Sequence, residues 1–155
     1  MEVPIRVTRL IRQIESAFEQ TPSPGATDEE ISKTPADEGV ADYFRGRSWR
    51  YHTVKTLRWH SCALVYFTAK AFRYYLPAFM LAELKDPEVA DNIRESIAFR
   101  LYQDDGKQIL EAFPEGELLA TAAFLEECVF RYDDVGGGFG RALDSVHAVL
   151  HGRGK

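Results

Sequence analysis

Two cysteines in 155 residues, Cys62 and Cys128, are too few and too far apart in sequence to suggest a disulfide framework. Metal or redox use of either would need more ligands, so two reduced thiols in a cytosolic protein are the expected state. Long apolar runs are missing as well. The longest charge-free stretch near the centre, Tyr74 to Ala82, is far short of the ~20 residues that a membrane-spanning helix needs. The first twenty residues carry Glu2, Arg6, Arg9, Arg12, Glu15 and Glu19 with no unbroken apolar core, which excludes an ordinary signal peptide and makes a cytoplasmic location the expectation. The chain also lacks an excess of positive charge, and its net −5 argues against generic nucleic-acid binding. It is rich in apolar residues: 45% are hydrophobic, enough for one domain to bury roughly 70% of its unfolded surface.

Helical spacing recurs along the chain. Val7, Leu10, Ile11, Ile14 and Phe18 share one stripe and predict an amphipathic first helix. Pro22, Pro24 and Gly25 then interrupt it, so residues 21–27 read as a surface loop, after which Thr27 and Glu30 offer a capping box. One or two short helices, with Pro35 in a first turn, are expected before Gly46. Val54, Leu57, Ser61, Leu64 and Val65 predict a helix, although Ala63 to Thr68 taken alone also suits a buried strand. Thr68 can cap the helix that follows, and Asp86-Pro87-Glu88 starts another, with Ala90, Ile93, Ile97 and Leu101 on its inner face. Leu118, Ala122, Leu125 and Val129 mark one more helix, and Phe139, Leu143, Val146 and Leu150 mark the last. The expectation is an all-α chain, residues 1–155 forming a single compact domain of about six or seven helices. Pro77 would kink the central helix from its wetter side, together with Lys70 and Arg73, and residues 133–140 would form a glycine-rich connector.

The segments "YFRGRSW", "FTAKAFRYYLPAFM" and "KDPEVAD" carry a resemblance. Over Arg45 to Asp91 the chain resembles an uncharacterised bacterial family of small helical proteins, a domain of unknown function marked by a Phe-x-Tyr-Tyr-Leu-Pro-Ala core. The resemblance implies a small helical fold. It brings no activity, cofactor or catalytic residue to this chain.

Four constellations could carry chemistry, and each has a plainer reading. His147 and His151 have the spacing at which two imidazoles on one helix share a zinc ion, but they make only half a site, and a rim histidine beside an exposed one explains them as well. Gly136, Gly137, Gly138 and Gly140 could cradle a phosphate, yet Asp133 and Asp134 would repel it and the Lys-Ser/Thr ending of a phosphate-binding loop is absent. His60 and Cys62 could meet as base and nucleophile only on a strand, because positions two apart on a helix diverge by about 200°. Glu83 shares a side with Phe72 and Phe79, which would favour a general acid if no arginine reached it. Neither a metal nor a cofactor is expected.

Charge placement is the strongest signal. From Tyr43 to Ala82 there are seven basic residues, Arg45, Arg47, Arg50, Lys55, Arg58, Lys70 and Arg73, and no acid, so with a net charge of −5 the rest of the chain carries −12. Tyr43, Trp49, Tyr51 and Trp59 are interleaved with these cations, a composition suited to an interface or an anionic ligand. Just upstream, Asp28, Glu29, Glu30, Asp37, Glu38 and Asp42 face only Lys33, and the two stretches could neutralise each other. Both readings stay open. The leading expectation is a non-enzymatic protein-interaction module, adaptor or immunity-like, that meets another protein through Arg45, Arg47, Trp49, Arg50 and Tyr51. Of the two tryptophans, Trp49 follows Gly46 in an expected loop and is the less expected of the two in the core. A small hydrolase or transferase using a histidine with a carboxylate is the alternative, and a nucleic-acid or nucleotide binder the third.

Overall fold

The computed structural model describes residues 3–134 and 137–154. These residues contain eleven helices, no strand, and one isolated antiparallel bridge between Ser32 and Phe67. The all-α expectation holds, but the helix count of six or seven does not, because several expected helices are divided into single turns. Among the described residues no helix is long and apolar enough to cross a membrane. The chain forms two compact units, one from Met1–Glu19 and Ile97–Lys155 and the other from Gln20–Ser96.

The first unit is built from long helices. Helix α1, Ile5–Ala17, buries Val7, Leu10 and Ile14 on the predicted stripe, and Phe18 beyond its end meets Phe113 edge-on at 6.2 Å. Helix α10, Glu115–Arg131, packs against α1 and against α11, Gly138–Arg153. Glu115 and Glu117 lie in its first turn and Arg131 in its last, matching the helix dipole at both ends. Leu118, Ala122 and Leu125 are buried as expected, whereas Val129 faces out. Near the end of α10 Glu127 is held by Arg6 at 3.1 Å and by Arg131 at 2.7 Å. The short α9, Gly106–Leu110, packs on α11 and begins with a glycine of necessity: a Cβ there would sit 2.0 Å from the Leu101 carbonyl oxygen.

The second unit surrounds α6, Ala69–Lys85, with short helices: α2, Asp28–Ile31; α3, Val40–Phe44; α4, Val54–Trp59; α5, Ala63–Tyr66; and α7, Pro87–Ala90. Each of four starts is fixed by a side-chain cap: Thr27 with Glu30 in a complete capping box, Thr53 to Thr56, Thr68 to Ala71 and Asp86 to Val89. Pro35 lies outside any helix. The helix expected from Thr53 stops at Trp59 and restarts for one turn at Ala63, after which Phe67 pairs with Ser32. Ala63 to Thr68 is thus one helical turn followed by a single bridge residue, and not a strand. The helix expected from Asp86 divides at Asp91, whose φ is +51°, before α8, Ile93–Tyr102, begins. Its inner face survives the break, since Ala90, Ile93, Ile97 and Leu101 are all buried.

Helix α6 corrects the reading of Pro77. The helix runs unbroken across it, and Pro77 is buried rather than on a wet side. Burial extends almost all round α6 from Tyr75 to Leu84, so the missing proline donor is set among packed side chains. Tyr75 Oη lies 2.7 Å from both the Phe44 and Arg47 carbonyls, sharing its one hydrogen between them and tying the end of α3 to α6. Burial pushes this phenol well above its ordinary pKa.

Candidate functional site

The acid-free stretch from Tyr43 folds as the end of α3, a loop, and then α4. Gly46, at φ +75°, turns the chain out of α3, and Tyr51 takes an uncommon φ of +70° farther along the loop. The two tryptophans reverse the order of burial expected of them. Trp49 is only 5% exposed and belongs to the core, while Trp59 is 83% exposed and Tyr51 96%. A loop position does not mean exposure when its side chain turns inward. The signal for Trp59 was present in the sequence: Leu57 is the core residue of α4, and a position two further on points about 200° away.

The cations divide between the two readings. Arg45 pairs with Asp28 and lies 3.8 Å from Asp42, both in the upstream acidic run, and Arg58 pairs with Asp91 at 3.2 Å. Arg47 and Arg50 instead lie over aromatic rings of their own stretch, Tyr43 at 4.7 Å and Trp49 at 4.1 Å. Among the described residues Arg47, Arg50 and Lys55 make no ion pair with a carboxylate. Internal pairing therefore accounts for part of the surplus charge and leaves the loop and α4 positive. A depression of about 610 Å³ opens beside α4, lined by Lys55, Thr56, Arg58 and Trp59.

An aromatic and histidine cluster that spacing gave no hint of underlies this loop. Tyr43 stacks on His60 with centroids 4.4 Å apart and edges against Phe44 at 4.8 Å. His52 Nε2 lies 2.7 Å from the Ser48 carbonyl, which only accepts, so Nε2 carries the hydrogen. In the neutral ring His52 Nδ1 then accepts from the Tyr43 hydroxyl at 2.7 Å. Burial pushes the His52 pKa down, opposed by the Ser48 carbonyl and assisted by Arg47. Burial and the neighbouring His52 push His60 down as well. The three residues are eight and nine positions apart, periods that belong to neither helix nor strand.

The other constellations are placed as follows. His60 is occupied with Tyr43, and burial pushes the Cys62 thiol up, with the hydrogen-bonded Glu38 adding to the shift. That is the reverse of what a thiolate nucleophile needs. Glu83 is wholly buried and meets Arg94 at 3.0 Å, the arginine that a carboxylate in that position requires. Asp134 accepts from the backbone N–H groups of Phe139 and Gly140, both at 3.0 Å, so the chain's own carboxylate fills the anion seat at the start of α11. Val135 and Gly136, part of the expected connector, lie outside the described residues. The rings of His147 and His151 stack 5.8 Å apart in a groove of about 570 Å³, which Gln13, Glu115 and Glu126 also line. Among the described residues no three His, Cys, Asp or Glu side chains are grouped to hold a metal ion.

Neither a curated protein nor a solved structure matches the chain. A family model does, and it runs well beyond the central segment on which the resemblance rests, taking in most of α1 and the whole of α10. With residues 7–136 matched, the chain belongs to the family of unknown function DUF6714.

Proposed function

We propose that the chain is a non-enzymatic, cytoplasmic protein-interaction module of a bacterium, adaptor or immunity-like in kind, and that it meets its partner through the aromatic and basic stretch. Arg47, Arg50 and Tyr51 supply the loop side of that surface, and α4 supplies Trp59 and Lys55. Trp49 acts from beneath as the anchor of the loop, and Arg45 ties it to Asp28. The observation that carries the reading is the exposure of Trp59 and Tyr51 inside the one long interval without acids. Large aromatics and arginine dominate interface energetics, and a solvent-facing indole gains from being covered. The test is quantitative capture of partners from the native cell by the wild type and by Trp59→Ala. A partner retained by the first and lost by the second supports the reading. Identical partner sets overturn it.

A second reading has its own support in the groove beside His147 and His151, where two carboxylates stand near two imidazoles. It is a small hydrolase or transferase, and hydrolysis of an ester or phosphoester panel that disappears in His147→Ala would favour it. Nucleic-acid binding fits less well, because the chain outside the basic stretch carries −12. We also propose that residues 1–155 unfold as a single domain. Both tryptophans lie within Gln20–Ser96, so their fluorescence follows that unit alone, while far-ultraviolet circular dichroism follows both. Coincident urea transitions are expected, and separated ones would count against a single domain.

A further inference from the structure

Helix α4 presents one outward face. Lys55 and Trp59 are four positions apart and Thr56 and Trp59 three, so these side chains neighbour one another on the helix surface, while Leu57 on the far side fixes the helix in the core. Arg58 borders the same depression. The lining thus combines an open indole with one ammonium and one guanidinium, and it contains no carboxylate. Arg58 already has Asp91 at 3.2 Å, but it is partly exposed and keeps further donors, whereas Lys55 has no ion-pair partner among the described residues. Two further cations of the same acid-free stretch, Arg47 and Arg50, lie on rings rather than on acids.

This charge pattern selects an occupant. We infer that the α4 face is a docking site for an acidic peptide segment of a partner protein, an aliphatic or aromatic side chain covering Trp59 while neighbouring Asp or Glu side chains meet Lys55 and Arg58. The inference rests on the interaction reading above and adds the chemistry of the partner. An apolar anchor is favoured because the indole offers mostly apolar surface, and carboxylates are favoured because the lining carries two cations, with the Thr56 hydroxyl and the indole N–H as further donors, and no carboxylate. A long polyanion suits the face less well. Its charge extends past the four lining residues, and the chain outside the basic stretch carries −12, whereas an acidic segment needs only the two cations of the lining. A second copy of the chain could offer its own acidic run, so self-association is one of the outcomes to be separated.

The experiment is selection of random twelve-residue displayed peptides on the immobilised full chain, with Trp59→Ala and Lys55→Glu selected in parallel. Both positions are exposed, so both variants are expected to keep the wild-type melting temperature, which is measured alongside. The expected result is enrichment of Asp and Glu around an apolar residue on the wild type, lost on both variants. A synthetic peptide of the enriched sequence should shift Trp59 emission to the blue, and replacing its acids by amides should weaken it about tenfold. Raising salt until the Debye length falls from ~10 Å to ~3 Å should weaken it further. Enriched peptides that need Trp59 but are not acidic would overturn the acidic partner while leaving the interaction module standing. No enrichment, or enrichment that survives Trp59→Ala, would overturn the site. Binding of a labelled single-stranded oligonucleotide, or concentration-dependent self-association, that is lost in Trp59→Ala would likewise overturn the peptide assignment.

Discussion

The unit of Met1–Glu19 with Ile97–Lys155 and the unit of Gln20–Ser96 solve the same packing problem with helices of different length. The first relies on α1, α10 and α11, of 13, 17 and 16 residues. The second has one such helix, α6, and surrounds it with α2 to α5 and α7, none longer than six residues. Helices that short are not stable alone, so caps and burial must hold each in place, and the chain between them turns sharply. Glu38, Tyr51 and Asp91, the non-glycine residues with positive φ among the described residues, all fall in this second unit. Ion pairing does not separate the units. In the first, Arg6 and Arg131 share Glu127 and Arg100 grips Asp105 through two oxygens, while in the second Arg45 meets Asp28 and Arg94 meets Glu83. Among the described residues each unit also holds cations with no carboxylate beside them, Arg9 and Arg12 in one and Arg47, Arg50 and Lys55 in the other. Long helices here serve burial, and the loops among short ones present side chains outward.

The sharpest test lies within the second unit, between its two tryptophans. Trp49→Ala removes a buried indole and should cost about 4 kcal/mol of stability, whereas Trp59→Ala should cost less than about 0.5 kcal/mol. Urea unfolding of the two variants measures both. Equal losses would mean that exposure does not distinguish the two positions.

The next largest effect compares buried carboxylates across the units. Glu83 is 0% exposed and faces Arg94, while Glu127 is 8% exposed and is shared between Arg131 and the half-exposed Arg6. Glu83→Gln should cost about 3 kcal/mol, because it neutralises the wholly buried partner of Arg94 and leaves that guanidinium the exposed Glu95 at 3.4 Å, and Glu127→Gln, whose carboxylate is nearer solvent, should cost less, about 2 kcal/mol. A reversed order in chemical unfolding would show that water reaches Glu83 far more than its burial implies.

This difference in construction also explains which parts of the fold were legible in the sequence. In the first unit the stripe Val7, Leu10, Ile14 and the run Leu118, Ala122, Leu125 repeat often enough for the helical period to stand out. In the second unit the period is interrupted before it repeats. Val54 to Val65 looked continuous, yet the chain breaks at His60 to Cys62, and the inner face Ala90, Ile93, Ile97 was correct although its helix was divided at Asp91. Pro77 was misplaced for another reason: a wheel separates wet from dry only where one side is solvated, and α6 is enclosed on nearly all sides. At the candidate surface the charge surplus was legible and the exposed indole inferable from Leu57. The Tyr43, His52 and His60 cluster was not, since only tertiary folding brings those positions together.

A smaller effect probes how the first unit starts α11. Asp134 caps two backbone donors, so Asp134→Ala should destabilise by about 1 kcal/mol, while Asp134→Asn, which keeps an acceptor, should lose less. If the alanine variant is restored by added phosphate, the vacated helix start takes anions once its own carboxylate is gone. An unchanged melting temperature for Asp134→Ala would mean that the cap contributes nothing.

The smallest effect is one of pH, and it belongs to the second unit. His52 and His60 both have their pKa pushed down by burial, so the unfolded chain takes up protons at a higher pH than the folded one. Their contribution is fully present above the unfolded value of about 6.5 and is lost as pH falls below it toward the folded values. Carboxylates act in the same sense but lower on the scale. Thr27 hydrogen bonds hold Glu30 down, and, against burial that pushes Asp37 up, the Ala41 N–H and the Ser32 hydroxyl hold that residue down. Their losses begin only as pH falls through the ordinary carboxylate range, so the interval from about pH 7.5 to about pH 5.5 isolates the imidazoles. Wild-type stability to urea should decline across that interval, and the double variant His52→Gln, His60→Gln should decline less. Glutamine at position 52 can still donate to the Ser48 carbonyl, which keeps the comparison one of protonation rather than of a lost hydrogen bond. A wild-type slope that persists unchanged in the double variant would remove the two histidines as its source.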